Sequence, residues 1–206
     1  MVSEEELKKA LSLMQDHWEK QNNDDDKRSR FIYKAATVAE CEKQAKENDV
    51  DLNYVLHRWY NYHTSITCEH IFHKYGAVPN PDIYDKEIDL FIKGIPYDVK
   101  VSVYPAKLNH AYDISKRCGK DAVIRWMYEN QSQQGRKHLA NRLFVVCDGG
   151  SVRANLELRM DFAQMEQKIK GFMDYYSTRP LYELEINDKS LSEPITVHSD
   201  IICLTK

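Results

Sequence analysis

Glycine and proline are scarce in this 206-residue chain, at 7 and 6 residues. That scarcity excludes a loop-rich or low-complexity chain and favours regular secondary structure. The five cysteines, Cys41, Cys68, Cys118, Cys147 and Cys203, are odd in number, and no two stand in CxxC spacing. They offer neither a disulfide framework nor a zinc ribbon, so reduced thiols and a cytoplasmic location are expected. No apolar run approaches the roughly 18 residues of a membrane span, so no membrane partner is expected. The chain opens Val2-Ser3-Glu4-Glu5-Glu6, which is not a basic then apolar leader. Positive charge is not in excess, because the formal net charge is −3. A bulk-basic binder of polyanions is thereby excluded, and any such contact must come from a local patch or from metal ions. No glycine-rich phosphate loop and no GxSxG occurs, which disfavours a nucleoside triphosphatase and a serine hydrolase.

What is present is an ordinary globular composition, 42% hydrophobic and 30% charged. Ser3 and the three glutamates after it cap a helix expected to reach about Gln21. Asn22-Asn23-Asp24-Asp25-Asp26 is expected to break it, and a second helix to run from about Lys27 to Lys46. Residues 1–50 are read as a helical extension, and 51–206 as the main domain. From Leu52 the apolar positions Leu56, Trp59, Tyr62 and Ile66 recur at helical steps, and Gly76 ends that helix. Glu69 falls near its buried stripe, where an unpaired carboxylate is costly; a rim position reaching solvent is the alternative.

Beyond Pro79-Asn80-Pro81 the period changes to two. Glu87 to Lys93 reads as a strand, Gly94-Ile95 as a type II′ turn, and Tyr97 to Tyr104 as the returning strand. A helix over Asp121–His138, a strand over Leu143–Cys147, a long helix over Ser151–Ser177 and strands near Tyr182–Ile186 and Ile201–Leu204 follow. Helices alternating with strands make an α/β fold, a mixed central sheet flanked by helices.

The hairpin carries the chemistry. With the turn at Gly94-Ile95, Asp89 stands opposite Lys100 and on the same face as Asp98. A slip of one residue would turn Asp89 to the other face. Aspartate is disfavoured inside apolar strands. A hard divalent cation gives the cluster a purpose, because Mg²⁺ takes one or two carboxylates, waters and substrate phosphate. The bland alternative is a weak cross-strand ion pair on a solvated face, worth ~0.2–1 kcal/mol.

Glu69 on a helix, Glu87-Ile88-Asp89-Leu90-Phe91 on one strand and Tyr97-Asp98-Val99-Lys100 on the next resemble the PD-(D/E)xK, or restriction-endonuclease-like, nucleases. The resemblance covers about residues 52–104. It implies a restriction-endonuclease-like sheet, with Asp89, Asp98 and the Val99 carbonyl on Mg²⁺ (or Mn²⁺). It further implies Glu69 supporting a metal or water, and Lys100 acting on the attacking water or the scissile phosphate. Hydrolysis of nucleic acid, DNA foremost, follows from it, and a homodimer suits cleavage of both strands. The bare tripeptide is weak, since Glu6-Leu7-Lys8, Asp25-Asp26-Lys27 and Glu166-Gln167-Lys168 also match it. Pro81-Asp82 fits the motif's letters, but it lies in a proline-rich approach rather than in a strand.

Other signals are less specific. His57, His63, His70, His73 and Cys68 crowd one helix without a zinc-ligand spacing. Lys107, Lys116, Arg117, Lys120, Arg125, Gln131, Gln134, Arg136 and Lys137 offer either a phosphate grip or a solvated face. Tyr60, Tyr62 and Tyr104 offer base stacking or core packing. Two rival functions remain: a non-catalytic nucleic-acid-binding or regulatory module on a degenerate nuclease fold, and a helical interaction protein assembled through residues 1–50.

Overall fold

The computed structural model describes residues 1–17, 22–82, 85, 87–130, 140–187 and 192–206. Helix α1 spans Glu4–Leu13, with Ser3 capping it by accepting from the Glu6 N–H. It stops well short of Gln21, because Met14 adopts an extended conformation; residues 18–21 lie outside the described set. The acidic run expected to break structure instead starts it. Asn22 accepts from the N–H groups of Asp24 and Asp25 and opens α2, Asn23–Arg28. Three aspartates in its first turn suit the positive end of the helix. The expected second helix is thus divided, into α2, a 3₁₀ segment Arg30–Tyr33, and α3, Val38–Glu47, which begins with a Thr37–Glu40 capping box.

Helix α4, Leu52–Lys74, forms as expected. Its seven residues from Tyr54 to Tyr60 are all buried, so its first half is enclosed on every side. The enclosure comes from residues 1–50: Leu7, Ala10, Ile32, Val38, Cys41 and Ala45 share a core with Val55, Leu56, Trp59 and Tyr60. The second half of α4 lies on the sheet, where Cys68, Ile71 and Phe72 meet Leu90, Val99, Val145 and Ile202.

The strands are β1 (Val78–Pro79), β2 (Leu90–Ile92), β3 (Ile95–Val103), β4 (Arg142–Asp148), β5 (Glu183–Ile186) and β6 (Ile195–Thr205). They form one six-stranded mixed sheet in the order β1-β2-β3-β4-β6-β5. β3, β4 and β6 are parallel, and β2 and β5 run antiparallel to their neighbours. Helix α5, Arg117–Glu129, covers one face over Phe144, Val146 and Ile201. The other face carries α4 with α7, Phe162–Ser177. The long helix expected over 151–177 is two, α6 (Val152–Arg159) and α7, because Asp161 caps a second start by accepting from the Gln164 N–H. The end of the helix expected to reach His138 lies outside the described residues. Among the described residues no helix is long and apolar enough to cross a membrane.

The hairpin turn differs from expectation. Lys93 and Gly94 both have positive φ, at 52° and 78°, and Ile92 pairs with Ile95. This is the type I′ pattern, centred one residue earlier than the expected Gly94-Ile95. Leu90 therefore pairs with Tyr97, and Asp89 does not stand opposite Lys100. The displacement along the partner strand is two residues, and the ladder ends at Leu90, so Asp89 lies just outside it.

Candidate active site

β2 pairs only with Ile95–Tyr97, while β3 runs on to Val103 against β4. From Asp98 onward, one edge of β3 has no strand beside it among the described residues. The Asp98 N–H bonds to the Asn141 carbonyl of the β4 side, so the main-chain groups of Val99 and Val101 face the open edge. Each finds a side-chain partner there. The Asp89 carboxylate accepts from the Val99 N–H at 2.7 Å, and the Arg159 guanidinium donates to the Val101 carbonyl at 3.0 Å. The Val99 carbonyl faces that same edge.

Asp89 itself lies one residue before β2. Its N–H donates to the Tyr97 carbonyl at 2.8 Å, and its side chain reaches Val99. It therefore brackets Asp98, and the two carboxyls lie near enough to act on one another electrostatically. Burial pushes the Asp89 carboxyl above its ordinary value, and the charge of Asp98 adds to the shift against the pull of Lys100 and the Val99 N–H.

Asp98 is 2% exposed. It pairs with Arg142, its cross-strand partner, at 2.7 Å from Nε, and with the Lys100 ammonium. The Lys100 side chain is about half exposed. Arg142 was not expected at the site, since the strand was expected to begin at Leu143. The signal was an arginine abutting an apolar run, where only a buried carboxylate makes it affordable.

Glu69 projects from α4 and is only partly exposed. Burial first, then the charge of Asp89, raises its carboxyl to about 7, with Asp98 acting in the same sense and Lys100 opposing. Asp98 and Lys100 alternate with Val99 and Val101, which face the α4 layer. Residues from both sides of the sheet thus meet electrostatically at the open edge. The structure brings all four expected side chains, Glu69, Asp89, Asp98 and Lys100, into one neighbourhood.

The donor set suits a hard cation. Asp89 and Asp98 supply neighbouring carboxylates, and Val99 supplies a carbonyl at the same edge. Among the described residues no group of three or more His, Cys, Asp or Glu is placed to hold a metal ion. Two carboxylates with water and substrate oxygens are the ordinary Mg²⁺ case.

The histidines stand apart from this cluster. His57 is buried, bonds to the Gln15 carbonyl at 2.8 Å, and is held below its ordinary pKa by burial. His63 packs edge-on against Trp59, and the His70 and His73 rings lie 5.9 Å apart. Several basic residues are already partnered: Lys116 with Asp113 at 3.2 Å, Arg117 with Asp121 at 2.8 Å, Lys120 with Asp200 at 2.8 Å. Gln131, Gln134, Arg136 and Lys137 lie outside the described residues. Tyr60 and Tyr104 are buried, the latter stacked on His110, while Tyr62 packs on Tyr33. Asp82 is exposed and remote in sequence from the hairpin.

A scan against protein-family models finds no match, and neither curated proteins nor solved structures yield one.

Proposed function

We propose that this protein is a metal-dependent nuclease of the restriction-endonuclease-like type, hydrolysing phosphodiester bonds of nucleic acid, with DNA as the first substrate to test. The observation that carries the reading is that Asp89 holds the Val99 N–H next to Asp98, where no strand lies beside β3 among the described residues, with Lys100 paired to Asp98. Strand order alone places no such cluster.

Asp89, Asp98 and the Val99 carbonyl would hold Mg²⁺ or Mn²⁺. The bound cation supplies Lewis acidity toward a phosphate oxygen and eases deprotonation of water. Lys100 then orients that water or neutralises the scissile phosphate, its half-exposed side chain able to swing from Asp98 toward an incoming anion. Glu69, with a carboxyl that titrates near neutrality, takes or gives a proton at its Oε atoms. Arg142 pairs with Asp98 and holds its carboxylate in place. A homodimer and a cytoplasmic location accord with this reading.

A second reading, a non-catalytic binding module, rests on one observation. Asp98 is buried and already ion-paired with Arg142 and Lys100, as a purely structural carboxylate would be.

Cleavage of plasmid, linear duplex, single-stranded DNA and RNA with Mg²⁺ or Mn²⁺ separates the two. Wild type should cut at least one substrate, and Asp89→Ala, Asp98→Ala and Lys100→Ala should not. Equal rates in wild type and all three variants would sink the site. Neither cleavage nor metal binding in wild type would leave the binding module.

A further inference from the structure

Among the described residues, the opposite side of the sheet has a second open edge. β5 pairs with β6 only at Ile195–His198, yet β6 runs on to Thr205. Beside this free stretch, between α5 and α7, lies a cavity of about 730 Å³. Its size is that of a small-molecule site.

The main-chain groups along this edge can be followed one by one. The Thr205 N–H and carbonyl both bond to the Gln164 side-chain amide, at 2.9 and 2.8 Å. The Ile201 N–H bonds to the Asp200 carboxylate at 2.7 Å. Residues 201, 203 and 205 therefore face the cavity, while the alternate set faces β4. Cys203 sits between Ile201, whose N–H alone is capped, and the fully capped Thr205, and no strand lies beside it among the described residues. The Cys203 N–H and carbonyl, with the Ile201 carbonyl, are presented to the cavity.

That pattern chooses between ligands. An added peptide strand must bond to alternate residues along an edge. Here Thr205 is capped by Gln164 and the Ile201 N–H by Asp200, so an added strand cannot build a continuous ladder. A flat heterocycle with a donor next to an acceptor needs only the one pair. Aromatic side chains suited to stack on it line the cavity: Phe172, Tyr175 and Tyr176 on α7. Arg117 lies over the Tyr182 ring and closes that side. Charge narrows the class further. Arg117, Lys120 and Lys168 are matched by Asp113, Asp148 and Asp200, so the lining has no excess for a polyanion.

We propose that this cavity binds a nucleobase or nucleoside, its hydrogen-bonding edge read by the Cys203 main chain and its face stacked on α7. The proposal does not depend on the nuclease reading, since the two sites lie at different edges of the sheet.

The test is calorimetric titration of the full chain with adenosine, guanosine, cytidine and uridine, and with ATP for comparison. At least one nucleoside should bind saturably, and ATP no more tightly than adenosine. Cys203→Pro deletes the N–H without costing a ladder bond and should weaken binding at least ten-fold; Cys203→Ser, which keeps the main chain, should not. Lys100→Ala should leave nucleoside binding unchanged, which separates this site from the other edge. If Cys203→Pro does not fold, alkylation of wild-type Cys203 by N-ethylmaleimide decides. Nucleoside should slow it several-fold, while the exposed Cys118 reacts as before. No saturable nucleoside binding, equal binding by Cys203→Pro and Cys203→Ser, unslowed Cys203 alkylation, or tighter binding of ATP would each overturn the proposal.

Discussion

Asp89 reaches Asp98 because its own main chain and side chain grip the residues on either side of it, Tyr97 and Val99. A carboxylate that replaces a missing strand partner is thereby fixed next to a second carboxylate. The acidic pair is a consequence of where β2 leaves β3.

Glu69 makes the folded protein sensitive to pH in the absence of metal. Its carboxyl is raised from 4.5 to about 7. A raised acid in the folded state favours folding while it is protonated. That stability is fully present below pH 4.5 and is lost as pH rises through 7. The difference amounts to about 3 kcal/mol at most. In EDTA, Glu69→Gln should therefore leave Tm nearly unchanged at pH 5 and raise it at pH 8. A Tm rise of the same size at both pH values would count against the shift.

Asp98→Ala should be strongly destabilising whatever the protein does. It leaves the buried Arg142 without its carboxylate, a loss of about 3–5 kcal/mol. Urea denaturation reads this directly. Asp98→Leu combined with Arg142→Met should recover most of it, because removing both charges spares the burial cost of either. If the double variant is no better than Asp98→Ala, the pair is not the cause.

Lys100→Ala should behave in the opposite way. The side chain is half exposed, and its ion pair contributes ~1 kcal/mol or less. Stability should barely move, while cleavage falls at least 100-fold if Lys100 acts on water or phosphate. Retained cleavage with unchanged stability would remove Lys100 from the chemistry.

The turn should respond as a type I′ turn and not as a type II′ turn. Gly94 carries φ of 78° with open space at its Cβ position, so Gly94→Ala costs conformation alone, about 1–2 kcal/mol. Lys93 also sits at positive φ, which asparagine adopts more readily. Lys93→Asn should raise stability by about 0.5 kcal/mol, offset in part by the lost bond to the Arg179 carbonyl. A destabilised Lys93→Asn would argue against the turn geometry.

The sequence by itself determined the α/β alternation, helix α4 with Glu69, and the hairpin bearing Asp89, Asp98 and Lys100. Each rests on local rules: side-chain period, caps, and turn-forming glycine. The turn lies one residue earlier than local rules placed it, which moved the pairing by two residues and left Asp89 just outside the ladder. Local rules did not place the helix break at Asp161, since a capping aspartate inside an apolar-periodic run looks like a surface position. Nor did they reveal that residues 1–50 enclose the first half of α4, which depends on packing between distant segments. Only the tertiary structure decided that Arg142 neutralises Asp98, that Arg159 satisfies Val101, and that β3 and β6 each keep an open edge. Those facts depend on which strands stop early beside which neighbours. Strand ends are set by competition among distant segments for the same main-chain groups, and no window of sequence contains both competitors.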